Sequence, residues 1–286
     1  MFKLKYDKIL DNVIFTKNNL KPVVEDYFDI NDLSFCVADG VTRDDIYGNP
    51  VIYPQTYEEA MKWIEKYPNP SGASKAAQIV CKTFINEISK YSHEKINKKI
   101  ILKIAKQCNY ALKSINDNRV IDYLKEDYYC CEAVGGIIVG DYLYCFSLGD
   151  CHITLLDSDF NVIFNTINNH SYFEKYLKDV YSKNNIFSWD SPKDRAMVRK
   201  EYRNCPSKKY NGKSISFGAF SGEKNAEYYI NTYKVKLNNI KYICAYSDGC
   251  EPFFKNKKTI KDTLENIKSL EYTGKERTLI VYEKED

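Results

Sequence analysis

With only three histidines in 286 residues, His93, His152 and His170, the chain has few ordinary bases. It holds no Gly-x-Ser-x-Gly elbow, so a serine nucleophile on that turn is excluded. Thiol-based phosphate chemistry needs cysteine and arginine spaced Cys-x5-Arg, and the nearest pair, Cys36 and Arg43, is one residue too long. A Walker-type phosphate loop would need glycine where Ser207 stands ahead of Gly212-Lys213-Ser214. No Cys-x-x-Cys occurs, which argues against structural zinc. Charge of one sign is also lacking: 42 Lys and Arg face 39 Asp and Glu, and the net +3 argues against nucleic acid or a membrane surface as partner. No apolar run is long enough to span a bilayer, and Met1-Phe2-Lys3-Leu4-Lys5 lacks the apolar core of a signal peptide. The ten cysteines are therefore expected to be reduced, in a cytoplasmic protein. Cys36, Cys145 and Cys244 lie inside apolar runs as small hydrophobes, and the vicinal pair Cys130-Cys131 reads as packing.

Three apolar runs end on an aspartate beside a glycine: Phe35-Cys36-Val37-Ala38-Asp39-Gly40, Cys145-Phe146-Ser147-Leu148-Gly149-Asp150, and Ile243-Cys244-Ala245-Tyr246-Ser247-Asp248-Gly249. Each reads as a buried strand that stops where a carboxylate emerges, with glycine permitting a turn or a close approach. An ionised side chain directly after a buried run must be paired or metal-bound if it stays enclosed. Together with the acidic pair Glu25-Asp26, the three ends suggest carboxylates converging on a hard cation.

The rest of the chain divides into blocks. Thr56-Tyr57-Glu58-Glu59 is a capping box opening a helix to about Tyr67, and Pro68-Asn69-Pro70-Ser71-Gly72 breaks it. Ser71 or Ser74 caps a second helix through Ala76, Val80, Phe84 and Ile88, and a third runs from about Glu94 to Ile115. Short β-branched and aromatic runs follow at 133–139, 142–148 and 152–156, punctuated as antiparallel hairpins. Helical pieces are expected near 173–181 and 193–202, where Arg195, Arg199 and Arg203 recur every fourth residue as a solvated basic stripe. Strands at 233–237 and 242–246, a helix at 259–270 and a strand at 278–282 complete the pattern. Helices and antiparallel strands in separate blocks indicate an α+β fold, and the absence of a linker or repeat indicates one domain over 1–286.

Val37-Ala38-Asp39-Gly40-Val41 resembles the haloacid-dehalogenase signature, but the nucleophilic aspartate of that family falls on Val37, so no aspartyl intermediate can form. The whole set of motifs resembles a different family, the metal-dependent PP2C-like (PPM) protein phosphatases. That family runs in order through Glu-Asp, Ala-Asp-Gly, two helices, a Gly-Asp strand end, Ser/Thr-Asp-Gly and a final Asp-Asn/Asp-x-Thr strand. Here those positions read Glu25-Asp26, Ala38-Asp39-Gly40, helices near 72–90 and 94–115, Gly149-Asp150, Ser247-Asp248-Gly249 and Lys275-Glu276-Arg277-Thr278.

The resemblance implies a sandwich of two antiparallel β-sheets flanked by α-helices, with Mg2+ or Mn2+ in a cleft at one edge. It implies hydrolysis of phosphoserine and phosphothreonine in proteins by direct attack of a metal-activated water. By position, Asp39 would bridge two ions, Glu25 and the Gly40 carbonyl would hold one, and Asp248 the other. Asp150 with Asp248 would form a looser third site, and Asp26 would orient ligands or waters.

Three departures stand out. The family's phosphate-binding arginine falls on Lys21, which supplies charge without the bidentate fork. An insertion near 44–70 replaces a short glycine-rich link. The final metal-binding aspartate falls on Lys275, with Glu276 beside it as the carboxylate that could reach the metal. The alternative implied by Lys275 is a catalytically impaired pseudophosphatase that binds a phosphoprotein or partner. A further alternative is an unrelated α+β binding protein whose aspartates only close turns. A flap-like segment near 170–210 is expected beside the cleft, and the oligomeric state cannot be read.

Overall fold

The computed structural model describes residues 1–10, 13–41, 54–124, 126–180, 188, 191–269 and 276–285. In chain order the first elements are β1 (Phe2–Leu10), α1 (Val13–Lys17), β2 (Tyr27–Asn31), β3 (Ser34–Gly40), α2 (Tyr57–Lys66), α3 (Gly72–Ile88), α4 (Lys98–Ala111) and α5 (Lys113–Asn116). Four strands follow: β4 (Cys131–Val139), β5 (Tyr142–Leu148), β6 (His152–Leu156) and β7 (Val162–Asn165). Helices α6 (Ser171–Val180) and α7 (Pro192–Glu201) precede a small hairpin, β8 (Lys209–Tyr210) and β9 (Lys213–Ser214). The last elements are β10 (Asn231–Lys236), β11 (Tyr242–Tyr246), α8 (Lys257–Glu265) and β12 (Arg277–Lys284).

Two five-stranded antiparallel sheets result, one in the order β1-β12-β11-β6-β7 and the other β10-β5-β4-β3-β2. The interior strands β3, β4, β6 and β11 are buried on both faces because each sheet is covered on either side there, whereas β1, β2, β7 and β10 are more exposed. On β3, Phe35 and Val37 join Val134, Ile153, Ile243 and Ile280 between the sheets. The alternate residues Cys36 and Ala38 pack outward against Ala77, Val80, Phe84 and Ile104 of α3 and α4. On the far side, Leu279 and Val281 of β12 meet Ile260 and Leu264 of α8. The architecture is thus the expected sandwich of two antiparallel sheets flanked by helices.

Local signals set the helix starts. Thr56 and Glu59 form a full capping box on α2, and Ser71 accepts the Ser74 N–H at the start of α3. The third expected helix begins four residues late, at Lys98, because Asn97 accepts the N–H groups of Lys99 and Ile100. At the amino end Val13–Lys17 form helix α1, and β1 pairs with β12 from Phe2↔Lys284 to Leu10↔Arg277. Among the described residues no helix is long and apolar enough to cross a membrane.

The arginine stripe departs most from expectation. Arg195 and Arg203 are buried. Arg203 grips Asp127 through both terminal nitrogens, Nη1 donating to Oδ2 at 2.9 Å, and Arg199 Nε lies 3.5 Å from the same oxygen. Burial pushes the Asp127 carboxyl up, but the Arg203 guanidinium outweighs it and holds the group below its ordinary value. A period of about four residues places the arginines on one face; it does not say whether that face is wet.

Removing one partner of a buried pair leaves an unpaired charge. Arg203→Met is therefore expected to lower the unfolding free energy by about 3–5 kcal/mol in urea titration. The double variant Asp127→Leu/Arg203→Met should lose less than Arg203→Met alone. A double variant at least as unstable would reject the buried ion pair as the cause.

Candidate functional site

Antiparallel pairing brings the carboxylate-bearing strand ends to one edge of the sandwich. β3 ends on Asp39-Gly40, and Asp39 pairs in register with Glu132 of β4. β5 runs out at Leu148 into Gly149-Asp150, β11 at Tyr246 into Ser247-Asp248, and Glu276 stands immediately before β12. The segment leading into β2 carries Glu25 and Asp26, both buried.

Glu25, Asp26 and Glu276 form the first group. Glu25 Oε1 accepts the Tyr67 hydroxyl at 3.0 Å and the Ser71 hydroxyl at 2.5 Å, while its backbone N–H donates to Glu276 Oε1 at 3.0 Å. Asp26 Oδ2 accepts hydroxyls from Ser247 at 2.6 Å and Thr278 at 2.8 Å. Ser247 and Thr278 are themselves joined twice, by Thr278 N–H to Ser247 Oγ and by Ser247 N–H to the Thr278 carbonyl. Asp26 thus ties the lead-in of one sheet to two strands of the other. Burial, followed by the negative charges of Asp26 and Glu25, pushes the Glu276 carboxyl up to about 8.

The second group is Glu132, Asp150 and His170, whose ligand-type atoms lie within 4.8 Å of one another. Glu132 Oε2 accepts the Asp150 N–H at 2.7 Å, and Oε1 lies 2.8 Å from His170 Nε2. Gly149 makes this possible: its φ is +87°, and a Cβ there would lie 2.0 Å from Glu132 Oε2. Burial works against the His170 imidazolium, but the Glu132 carboxylate outweighs it and the group rises to about 9. Burial and then the Glu132 charge push Asp150 well above the ordinary carboxylate range, and Asp248 adds to the same effect.

The remaining expected residues fall as follows. Asp39 and Asp248 are partly buried at the same edge, Asp248 opening a 3-10 turn over 248–254. Gly40 is buried, and a Cβ on it would lie 2.7 Å from the Glu25 carbonyl oxygen and 2.8 Å from the Ala73 backbone. That glycine is what lets β3 end against the first turn of α3. Lys21 is exposed, four residues before Glu25. Lys275 lies outside the described residues.

Sequence reasoning missed Glu132, His170 in this role, and the hydroxyls of Tyr67, Ser71, Ser247 and Thr278. Glu132 left one trace, a lone acid at the second position of an otherwise apolar strand, where a buried charge needs a partner.

No family model matches the chain, and no curated protein matches it. Solved structures do. The serine/threonine phosphatase Stp1 from Staphylococcus aureus aligns over 99% of this chain and 96% of its own at 10% identity and a TM-score of 0.54. The catalytic domain of the serine/threonine phosphatase PstP, in complex with two manganese ions, aligns over 100% of both chains at 12% identity and a TM-score of 0.53. The Mycobacterium tuberculosis phosphatase PstP/Ppp aligns over 100% of this chain and 99% of its own at 11% identity and a TM-score of 0.51. The chain therefore has the PP2C-like fold of the PPM-type serine/threonine phosphatases.

Because folding raises the His170 pKa from 6.5 to about 9, its stabilisation is complete below pH 6.5 and is lost as pH rises through about 9. The stability gap between the parent and His170→Gln should accordingly narrow from pH 6.5 to pH 9 in urea titrations. A gap that stays constant or widens over that interval would contradict the Glu132–His170 pairing.

Proposed function

We propose that this protein is a divalent-metal-dependent phosphatase that hydrolyses phosphoserine and phosphothreonine in proteins. The observation that supports it most is the gathering of Glu25, Asp39, Asp150, Asp248 and Glu276 at one edge of a PP2C-type sandwich. In this reading residues 1–286 form one domain, the described parts of the insertion near 44–70 and of the segment near 170–210 border the cleft, and the protein works in the cytoplasm.

The donor set fits hard cations. It consists of carboxylates and a backbone carbonyl, the oxygen ligands that such ions prefer. Asp39 would bridge two Mg2+ or Mn2+ ions, Glu25 and the Gly40 carbonyl would hold one, and Asp248 with Glu276 the other. Asp150 would serve a looser third position with Asp248. Bound there, such ions lower the pKa of a water nucleophile and neutralise phosphoryl oxygens.

The chain's own residues do the rest. Ser247 and Thr278 hold Asp26 and thereby the relative position of the two sheet edges. Gly40 keeps the Asp39 backbone close to that of Glu25. Lys21 meets the substrate phosphate as a point charge, without the geometric fork of an arginine. The Glu132–His170 pair fixes the start of α6 against the Asp150 strand end.

Hydrolysis of an aryl phosphate and of a phosphopeptide, with Mn2+ and with chelator, tests this reading. Mn2+-stimulated turnover is expected, and Asp39→Asn should lower it by more than the about 100-fold that outer metal partners typically cost. A silent parent that gains turnover as Lys275→Asp would instead identify an impaired phosphatase acting as a phosphoprotein-binding module. A parent that neither turns over nor binds Mn2+ at millimolar concentration would reject both metal readings.

A further inference from the structure

We propose that Tyr67 and Ser71 are positioning residues that set the metal affinity of the cleft by fixing the Glu25 carboxylate; this inference rests on the metal-dependent reading above.

Both hydroxyls donate to one oxygen, Glu25 Oε1, at 3.0 and 2.5 Å, from elements whose own geometry is fixed. Tyr67 closes α2: its N–H bonds the Trp63 carbonyl, and its ring stacks on Trp63 with centroids 5.7 Å apart. Trp63 in turn packs against Phe15 of α1 at 5.9 Å. Ser71 accepts the Ser74 N–H at 3.0 Å while giving its own proton to Glu25, so the carboxylate is coupled to the first turn of α3. The part of the 44–70 insertion that the structure describes is thus built against a candidate metal ligand.

The chemistry of the donors gives the pair its function. A buried carboxylate must be served by polar partners, and Asp127 and Glu132 are served by arginine and histidine, whose positive charges offset theirs. Tyr67 and Ser71 are neutral. They orient Glu25 and stabilise its charged form without cancelling the charge that would attract a cation. Partners of metal-binding carboxylates act in this way, and their loss typically weakens metal affinity 10–100-fold.

The test is calorimetric titration of the full chain with Mn2+ alone, for the parent, Tyr67→Phe and Ser71→Gly. Glycine is among the residues tolerated at a helix N-cap, so Ser71→Gly is expected to fold. Each variant should raise the Mn2+ dissociation constant roughly tenfold. In turnover assays the Mn2+ activation midpoint should shift by a similar factor, while the rate at saturating Mn2+ stays within about twofold. A merely structural role would lower the melting temperature and leave the midpoint in place. If the parent binds Mn2+ and both folded variants bind it within about twofold of the parent, the positioning role is overturned while the phosphatase reading stands. If the parent binds no Mn2+, both fall. Should Tyr67→Phe fail to fold, the Ser71→Gly titration decides by the same two results.

Discussion

The cleft depends on Asp26. Its carboxylate lies between a lead-in segment of one sheet and the hydroxyls of Ser247, just past β11, and Thr278 of β12 in the other. Two sheets packed by apolar side chains alone can slide, because the hydrophobic contact is non-directional. Hydrogen bonds to a buried charge add direction, and each is worth more than a bond between neutral groups. With the Glu25–Glu276 contact beside it, this clamp fixes where the strand ends of one sheet face those of the other.

The molecule keeps its buried carboxylates in two distinct ways. Asp127 and Glu132 are matched by cationic side chains, and both are held below their ordinary pKa range once burial is outweighed by Arg203 and His170. Around Glu25 and Asp26 the hydroxyls of Tyr67, Ser71, Ser247 and Thr278 donate to the carboxylates, and burial, followed by the charges of Asp26 and Glu25, pushes the nearby Glu276 carboxyl upward.

Much of the fold was legible because its signals are local. The capping box at Thr56–Glu59, the Ser71 cap and the Asp-Gly strand ends each lie within six residues of sequence, and each appears where expected. Strand β1 was not legible: Lys3, Leu4 and Lys5 are all exposed, which breaks the alternation, and its partner lies at the opposite end of the numbering. The arginine stripe was misjudged because periodicity says which residues share a face, not what covers it. Glu132 with His170, 38 residues apart, and Glu276 with the Glu25 backbone, 251 apart, are contacts no short window contains. For Glu276 the sequence offered a carboxylate beside a misplaced lysine; only the register of β12 brings it to the Glu25 backbone.

That register has a consequence for how the protein is made. β12 is an interior strand, hydrogen-bonded to β1 on one side and β11 on the other. Until residues 277–284 have left the ribosome, β1 has no neighbour in its sheet and Asp26 lacks Thr278. Pairings so distant in sequence form late, after loop closure has been overcome. Glu276 arrives with the same strand, so the acidic cleft is assembled at the step that completes the sandwich. A chain lacking residues 276–284 cannot assemble it.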